Sequence, residues 1–340
     1  MNNTCHLFRA ALWGLLLTSA GFLSVAQAAE IKQRTIRLPI VTTIDAPLGV
    51  GAAKFGELVE QKSGGKIKVR VFPGSSLGGE AQVVSSLQGG TIEATIVLPA
   101  ILSGMIEDFI ALDLPYVFDT EEHAAKVLDG PFGQHLLAQL PEKKLVGLGF
   151  MGGGFRNYTN SKRPITKVED MAGLKLRSFQ NPVFIDFTNA LGANAVPLAF
   201  AELYTALETK AIDGQENTIA QIDISKFDEV QEYLSETRHV YAPQITLVSS
   251  KLWDQLSADE RKLFQDAANE AAAYQRKAAI EAESRSRDAL KSRGMQINTI
   301  SEQEMAGFRD KVKPVVEKHS AQLSAESRDL FFAEVDKVRR

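Results

Sequence analysis

Arg177 and Asn217 carry the chemistry that stands out in this chain. Both belong to the stretch Gly173 to Asn217, GLKLRSFQNPVFIDFTNALGANAVPLAFAELYTALETKAIDGQEN. An arginine side chain is a planar fork of donors that matches a carboxylate or phosphate with two parallel bonds. An asparagine amide both donates and accepts. The pair therefore describes an anion site with hydrogen-bonding capacity beside it.

The elements that must position these side chains follow from the local pattern. Leu174-Lys175-Leu176-Arg177 alternates as a short strand, which on spacing alone also fits an edge strand with Arg177 on a polar face. A helix is expected from Pro182 to Gly192. A second extended piece, Ala195 to Leu198, leads to another helix ending near Ala211, and Asp213 to Asn217 reads as a turn. Arg177 and Asn217 then stand at ends of strand-like pieces of one α/β unit, where side chains line the crevice of the sheet. Phe179, Gln180 and Asn181 precede the Pro182 helix start, whose free N–H groups favour anions, so they form a candidate rim. Phe200 is a candidate apolar wall with Tyr204 below it; both fit plain core packing as well.

The run GLKLR…GAN…AFAELYTAL…IDGQEN resembles the central signature of the solute-binding proteins of tripartite ATP-independent periplasmic (TRAP) transporters. The resemblance extends over essentially the whole chain after its leader. It implies a periplasmic-binding-protein-like α/β fold, with two α/β lobes around a cleft joined by crossing strands and a long C-terminal strut helix. The implied lobes are 29–153 plus 243–282, and 154–242 plus 283–340. It implies that Arg177 salt-bridges a ligand carboxylate, that Arg156 faces the ligand from the loop between lobes, and that Asn217 lines the pocket. Glu80 matches a ligand-facing position that accepts substrate hydroxyls, and it also fits as a first-turn acid complementing a helix dipole. Leu98 matches a position that carries an acid in the sialic-acid-binding branch, so its apolar side chain argues against sialic acid. Gly153-Gly154-Phe155-Arg156 and Phe179-Gln180-Asn181-Pro182 resemble the sugar-acid-binding members. A uronate or aldonate is the first expectation, a C4-dicarboxylate the second, and a ligand-presenting sensor for a membrane kinase the third. The implied partners are the small and large membrane subunits of a TRAP permease, with the receptor itself a monomer.

Composition narrows the alternatives. Lys and Arg total 38 against 42 Asp and Glu, so no basic excess points to nucleic acid. Residues 1–28 read as an export signal: Arg9, an apolar run from Ala10 to Val25, and Ala26-Gln27-Ala28 before a cleavage point. The periplasm is the expected compartment. The single cysteine, Cys5, leaves with that signal, which excludes disulfides, thiolate metal sites and cysteine nucleophiles from the mature chain. No cofactor or metal is expected. His123 and His135 are read as surface or packing residues, and no base, nucleophile or paired-acid spacing supports an enzyme.

From Ile36 to Leu98 the chain reads β-α-β-α-β, with helices at Ala46–Ser63 and Glu80–Leu87, which predicts a largely parallel sheet. A strand is expected at Leu114–Phe118 and a helical stretch from Glu121 to Leu140. Gly147 to Gly152 spells G-x-G-x-x-G, but Gly153, Gly154, aromatic residues and Pro164 follow where a dinucleotide site needs a helix. The run reads instead as a crossing between lobes, where glycines allow hinge motion. Glu216 reads as a helix-start acid. His239 and Gln244 fall near the return crossing, between two expected strands. Ser257-Ala258-Asp259-Glu260 is a capping box opening a helix to Ser292, and Ser301 to Glu304 is a second.

Overall fold

A computed structural model describes residues 30–339, so the export signal and Cys5 lie outside the described residues. The chain runs β1 (Arg34–Pro39), α1 (Pro47–Lys62), β2 (Ile67–Phe72), α2 (Glu80–Gln88), β3 (Ala94–Val97), α3 (Glu121–Asp129), α4 (Pro131–Gln139), β4 (Leu145–Met151) and β5 (Phe155–Asn160). There follow β6 (Lys175–Ser178), α5 (Pro182–Ala190), β7 (Asn194–Pro197), α6 (Leu203–Glu208), β8 (Gly214–Asn217), α7 (Ile219–Ile224), β9 (Tyr233–Tyr241) and β10 (Gln244–Ser249). The chain closes with α8 (Ser250–Trp253), α9 (Ala258–Ser292), β11 (Gln296–Thr299), α10 (Glu302–Ser320) and α11 (Ala325–Arg339).

The molecule is the expected two-lobed α/β fold. One lobe carries a parallel β1–β2 pair and the sheet β3-β10-β4; the other carries the six-stranded sheet β11-β9-β5-β8-β6-β7. The expectation of one largely parallel first sheet is corrected. Strand β3 pairs antiparallel with β10, which arrives from far along the chain and pairs antiparallel with β4 on its other side. Its link to β1 is a side-chain bond, Thr95 Oγ1 donating to the Pro39 carbonyl at 2.8 Å.

Three further expectations are revised. Leu114–Phe118 is not a strand: a 3-10 helix over Glu107–Asp113 precedes it, and Tyr116 takes a left-handed φ of 59° that breaks extension. The Glu121–Leu140 stretch divides at Gly130, because Pro131 cannot donate the N–H that would continue α3. Asp213–Asn217 is not a turn; Gly214–Asn217 is a fully buried strand, antiparallel to β5 and parallel to β6.

Three connections pass between the sheets, two of them short and the third the segment from β10 through α8 and α9 to β11. Gly152–Gly154 joins β4 to β5, and Ala242-Pro243 joins β9 to β10. The glycine run is therefore a crossing, as its sequence indicates. A Cβ on Gly153 would stand 1.3 Å from the Ala242 carbonyl oxygen, so the two crossing chains touch where only glycine fits. The capping box at Ser257 and Glu260 is formed, and α9 runs 35 residues, about 50 Å at 1.5 Å per residue. It packs on α1 and β4 in one lobe and on α7 in the other. Midway, the buried Gln275 accepts from the Gly152 N–H and donates to the Gly152 carbonyl, both at 2.8 Å. One apolar core, with Phe109, Phe132, Tyr158, Phe184 and Phe331, joins α3, α4, α10 and α11 to the six-stranded sheet. This core crosses the residue boundaries that the sequence places between lobes. His123 and His135 serve packing: their Nε2 atoms meet the Val335 carbonyl and Ser327 Oγ.

Gln275→Leu is expected to strand both polar groups of Gly152. At about 1–3 kcal/mol per buried unsatisfied group, the loss is about 2–6 kcal/mol of unfolding free energy in a urea titration. A loss under about 1 kcal/mol would show that the strut does not hold the crossing through this amide.

Candidate ligand-binding site

Between the lobes lies a cavity of about 80 Å³, room for several water-sized groups. Arg156, Arg177, Asn217, Glu80, Phe179 and Phe200 line it, so the structure brings six of the eight sequence candidates together. Three lining groups are ionisable, Glu80, Arg156 and Arg177; the rest are polar or apolar.

Arg177 stands on β6, between β7 and β8, and is 2% exposed, which removes the edge-strand alternative. Its Nε donates to the Leu198 carbonyl at 2.9 Å. Its Nη1 is 3.9 Å from Glu216 Oε1, beyond hydrogen-bond range. The fixed Nε leaves the Nη pair as a two-pronged donor for an anion. Burial lowers its pKa to about 10, against Glu216, so it stays charged at neutral pH.

Arg156 is on β5 and is committed differently. Its Nε donates to Glu216 Oε2, and its Nη2 donates to Glu216 Oε1 at 2.9 Å and to the Glu216 carbonyl at 2.8 Å. It reaches the cleft wall as half of an ion pair. Glu216, the partner, is wholly buried on β8 and is not a helix-start acid. Burial opposes its ionisation, but the Arg156 charge and bonds from His239 and Arg156 prevail and hold its pKa at about 2. His239 Nε2 lies 3.4 Å from Glu216 Oε2, Nδ1 lies 2.8 Å from Thr237 Oγ1, and the ring stacks on Tyr158. Burial lowers its pKa, against Glu216. It supports Glu216 and does not line the cleft.

Asn217 ends β8, accepts from the Thr218 N–H at 3.1 Å, and lines the cavity. Glu80 opens α2 and crosses to β3, where Oε1 accepts from the Leu98 N–H at 3.3 Å. Burial raises its pKa, opposed by the Leu98 bond, Arg177 and Arg156. Phe179 stands 5.9 Å from the Arg177 guanidinium, and Phe200 packs edge-on to Phe227 at 6.3 Å. Tyr204 is bonded to Glu229 instead.

The other two candidates lie elsewhere. Gln180 is exposed and borders an adjoining opening with Phe179 and Phe200. Asn181 is withdrawn from the rim: Oδ1 caps α5 by accepting from Val183 N–H, and Nδ2 donates to Ala100 O, Ser103 Oγ and Asp113 Oδ2. Asn before Pro at a helix start is an N-cap signal, which accounts for its withdrawal. Sequence reasoning missed Gln221 and Gln275, and left Gln244 open; all three line the cleft. Scattered neutral amides carry no spacing signal. Gln244 Oε1 is a buried acceptor without a protein partner.

Glu216 sets a pH dependence. Its folded pKa of about 2 lies below the ordinary 4.5, so its contribution is complete above pH 4.5 and is lost as pH falls toward 2. The shift corresponds to about 3 kcal/mol. Urea unfolding of the wild type is expected to weaken over that window, while Glu216→Gln is weaker at neutral pH and lacks this component. Equal pH slopes in the two proteins would assign the acid sensitivity to other groups.

Comparison with known proteins adds the family. Residues 40–323 match the model described as bacterial extracellular solute-binding protein, family 7. The sugar acid binding protein of Advenella mimigardefordensis, solved in complex with galactonate, is 42% identical. The match covers 91% of this chain and 99% of that chain, with a TM-score of 0.88. The 2,3-diketo-L-gulonate-binding periplasmic protein of Escherichia coli is 34% identical over 82% of this chain and 84% of its own. The C4-dicarboxylate-binding periplasmic protein of Rhodobacter capsulatus is 32% identical over 94% and 97%. A cleft between lobes, with a buried guanidinium free to clamp an anion, agrees with these matches, and the chain belongs to family 7 of the bacterial extracellular solute-binding proteins, the transporter receptors of the TRAP class.

Proposed function

We propose that this receptor binds a hydroxylated monocarboxylate, a sugar acid of the aldonate or uronate class, in the periplasm. The observation that carries the reading is the Arg177 guanidinium, with Nε fixed on Leu198 and its Nη pair left to the cleft. The ligand carboxylate takes that pair, and Asn217 and Arg156 flank it. The hydroxyl groups meet Glu80 and the amides of Gln221, Gln244 and Gln275. Gln244 Oε1 in particular calls for a donor, which a hydroxyl supplies and a methylene does not. The galactonate and diketogulonate relatives support this class, and a C4-dicarboxylate fits less well because Arg156 is already paired with Glu216.

The two lobes, with α10 and α11 packed across the boundary that the sequence places between them, close on the ligand by motion at the glycine crossing, driven by differential affinity for the closed state. The closed receptor, acting as a monomer, then docks on the small and large membrane subunits of a TRAP permease. Family membership and the implied export signal support this last step.

A thermal-shift screen of the purified protein against organic acids tests the reading, because a ligand specific to the native state raises Tm by mass action. A clear rise with D-galactonate or D-glucuronate is expected, and none with Arg177→Ala. Loss of the clamp costs about 2–5 kcal/mol, at least about thirty-fold in Kd. Arg177→Lys is expected to fail similarly, since an ammonium makes no two-pronged contact. A rise with succinate alone would move the substrate class. Silence with every acid, after denaturation and refolding to remove retained ligand, would overturn the anion-receptor reading.

A further inference from the structure

The ionisable side chains on the cleft wall are Arg156, Arg177 and Glu80, with Glu216 directly behind the arginines. Glu283 on α9 stands behind the lining residue Thr218, accepting from the Ile219 and Ala220 N–H groups, and burial raises its pKa to about 7, so Glu80→Gln is what separates its titration from that of Glu80. Glu216 is ionised across the neutral range, with its pKa held near 2. His239, 3.4 Å from Glu216 Oε2, is buried and shifted toward its neutral form. Asp113, reached through Asn181, is pushed well up by burial, toward the neutral acid. From β3 and α9 the cleft receives Leu98 and Gln275, neither ionisable. Two guanidinium charges less the Glu216 charge leave the wall at +1.

One ligand carboxylate balances that charge. An ionised Glu80 beside the same ligand would leave −1 in a site removed from water, which is costly. Glu80 has one protein partner for its carboxyl group, the Leu98 N–H, and burial already favours its neutral form. A carboxylate seated on Arg177 cancels one of the two arginine charges that oppose this. The sequence-based role of Glu80 as an acceptor of substrate hydroxyls therefore changes.

We infer that Glu80 binds ligand as the neutral acid: carboxylate binding takes up a proton from solvent onto Glu80 Oε2, which donates to a ligand hydroxyl while Oε1 keeps the Leu98 N–H. The inference rests on the anion-receptor reading above and deepens it. It makes the cleft selective for a monoanion with a neutral hydroxylated tail, because a second carboxylate finds no unpaired cation. The sign follows from linkage. Binding raises the Glu80 pKa, so affinity is full where Glu80 is already protonated in the free protein. It falls, by up to about tenfold per pH unit, as pH rises between the free and bound values.

Calorimetric titration of the purified protein with D-galactonate and D-glucuronate, in phosphate and in Tris between about pH 5 and pH 9, counts the protons directly. Expected is net uptake that reaches as much as about one proton per ligand, with affinity declining over the same window. Glu80→Gln, neutral at every pH, is expected to lose the uptake and to bind more tightly than the wild type at the alkaline end. Succinate is expected to bind at least about tenfold more weakly than the sugar acids. Zero uptake and a flat wild-type profile, or an unchanged slope in Glu80→Gln, would overturn the inference. The wild-type proton count stands even where the variant misfolds. Arg177→Ala separates the two levels. Binding lost there beside a flat wild-type profile overturns the proton linkage alone; binding kept there overturns the receptor reading and this inference with it.

Discussion

Two guanidinium groups buried in one sheet must share one carboxylate. Arg156 and Arg177 are 5% and 2% exposed, and Glu216 between them is 0% exposed. Taking such ions from water costs several kcal/mol each, recovered only through close pairing. The strand order β5-β8-β6 supplies that pairing by setting the acid-bearing strand between the two that carry arginine. In the β5–β8 register Tyr158 faces Glu216 and Asn157 faces Asn217, so Arg156 reaches Glu216 along the diagonal. A slip of one residue would turn Glu216 to the opposite face and leave both cations without a counter-ion. The same register carries Asn217 to the cleft, so pairing in the sheet and presentation of the site are one constraint.

The charge cluster also explains what is left for a ligand. Glu216 spends its oxygens on Arg156 and His239, and its distance to Arg177 is too long for a hydrogen bond. Arg177 thus feels the acid as a field that keeps it ionised, while its Nη donors stay uncommitted. Preorganisation of this kind lowers the ordering cost of binding, because the Leu198 carbonyl already fixes the side chain. Apolar residues of similar volume hold a sheet equally well, so the cluster is best understood through the cleft it faces.

Local signals were the most legible in the sequence. The Ser257 capping box and the Gly294 stop mark α9 closely, and Pro182 marks α5, because each depends on groups a few residues apart. The resemblance carried by Arg177 and the QEN run marks most of the cleft. What escaped depends on distant partners. Strand β3 looks like part of a parallel sheet until β10 arrives to pair with it. Glu216 has the composition of a solvated acid, and only the β5–β8 register reveals its two cations. Tyr116 adopts a left-handed φ that an apolar run such as Leu114–Phe118 does not advertise. Asn181 carried a legible cap signal that competed with its place beside the pocket motif, and the helix end won because its N–H groups need a partner wherever the cleft lies.

The position of each polar group relative to the crossing gives the cleft its logic. Arg177 and Asn217 belong to the six-stranded sheet, whereas Glu80 and Leu98 come from α2 and the end of β3 on the other side of Gly152–Gly154. Gly154 holds a φ of 89° that favours glycine, and Gly153 has no room for a Cβ, so both positions at the crossing require glycine, one for conformation and one for space. On the proposed binding mode a carboxylate engages one wall and a hydroxyl at the right distance engages the other, so that a ligand with both ties the walls together. In the closure proposed above, the cleft reads the spacing between acid and hydroxyl, and a simple acid that satisfies Arg177 alone lacks the differential affinity that would shift the lobes.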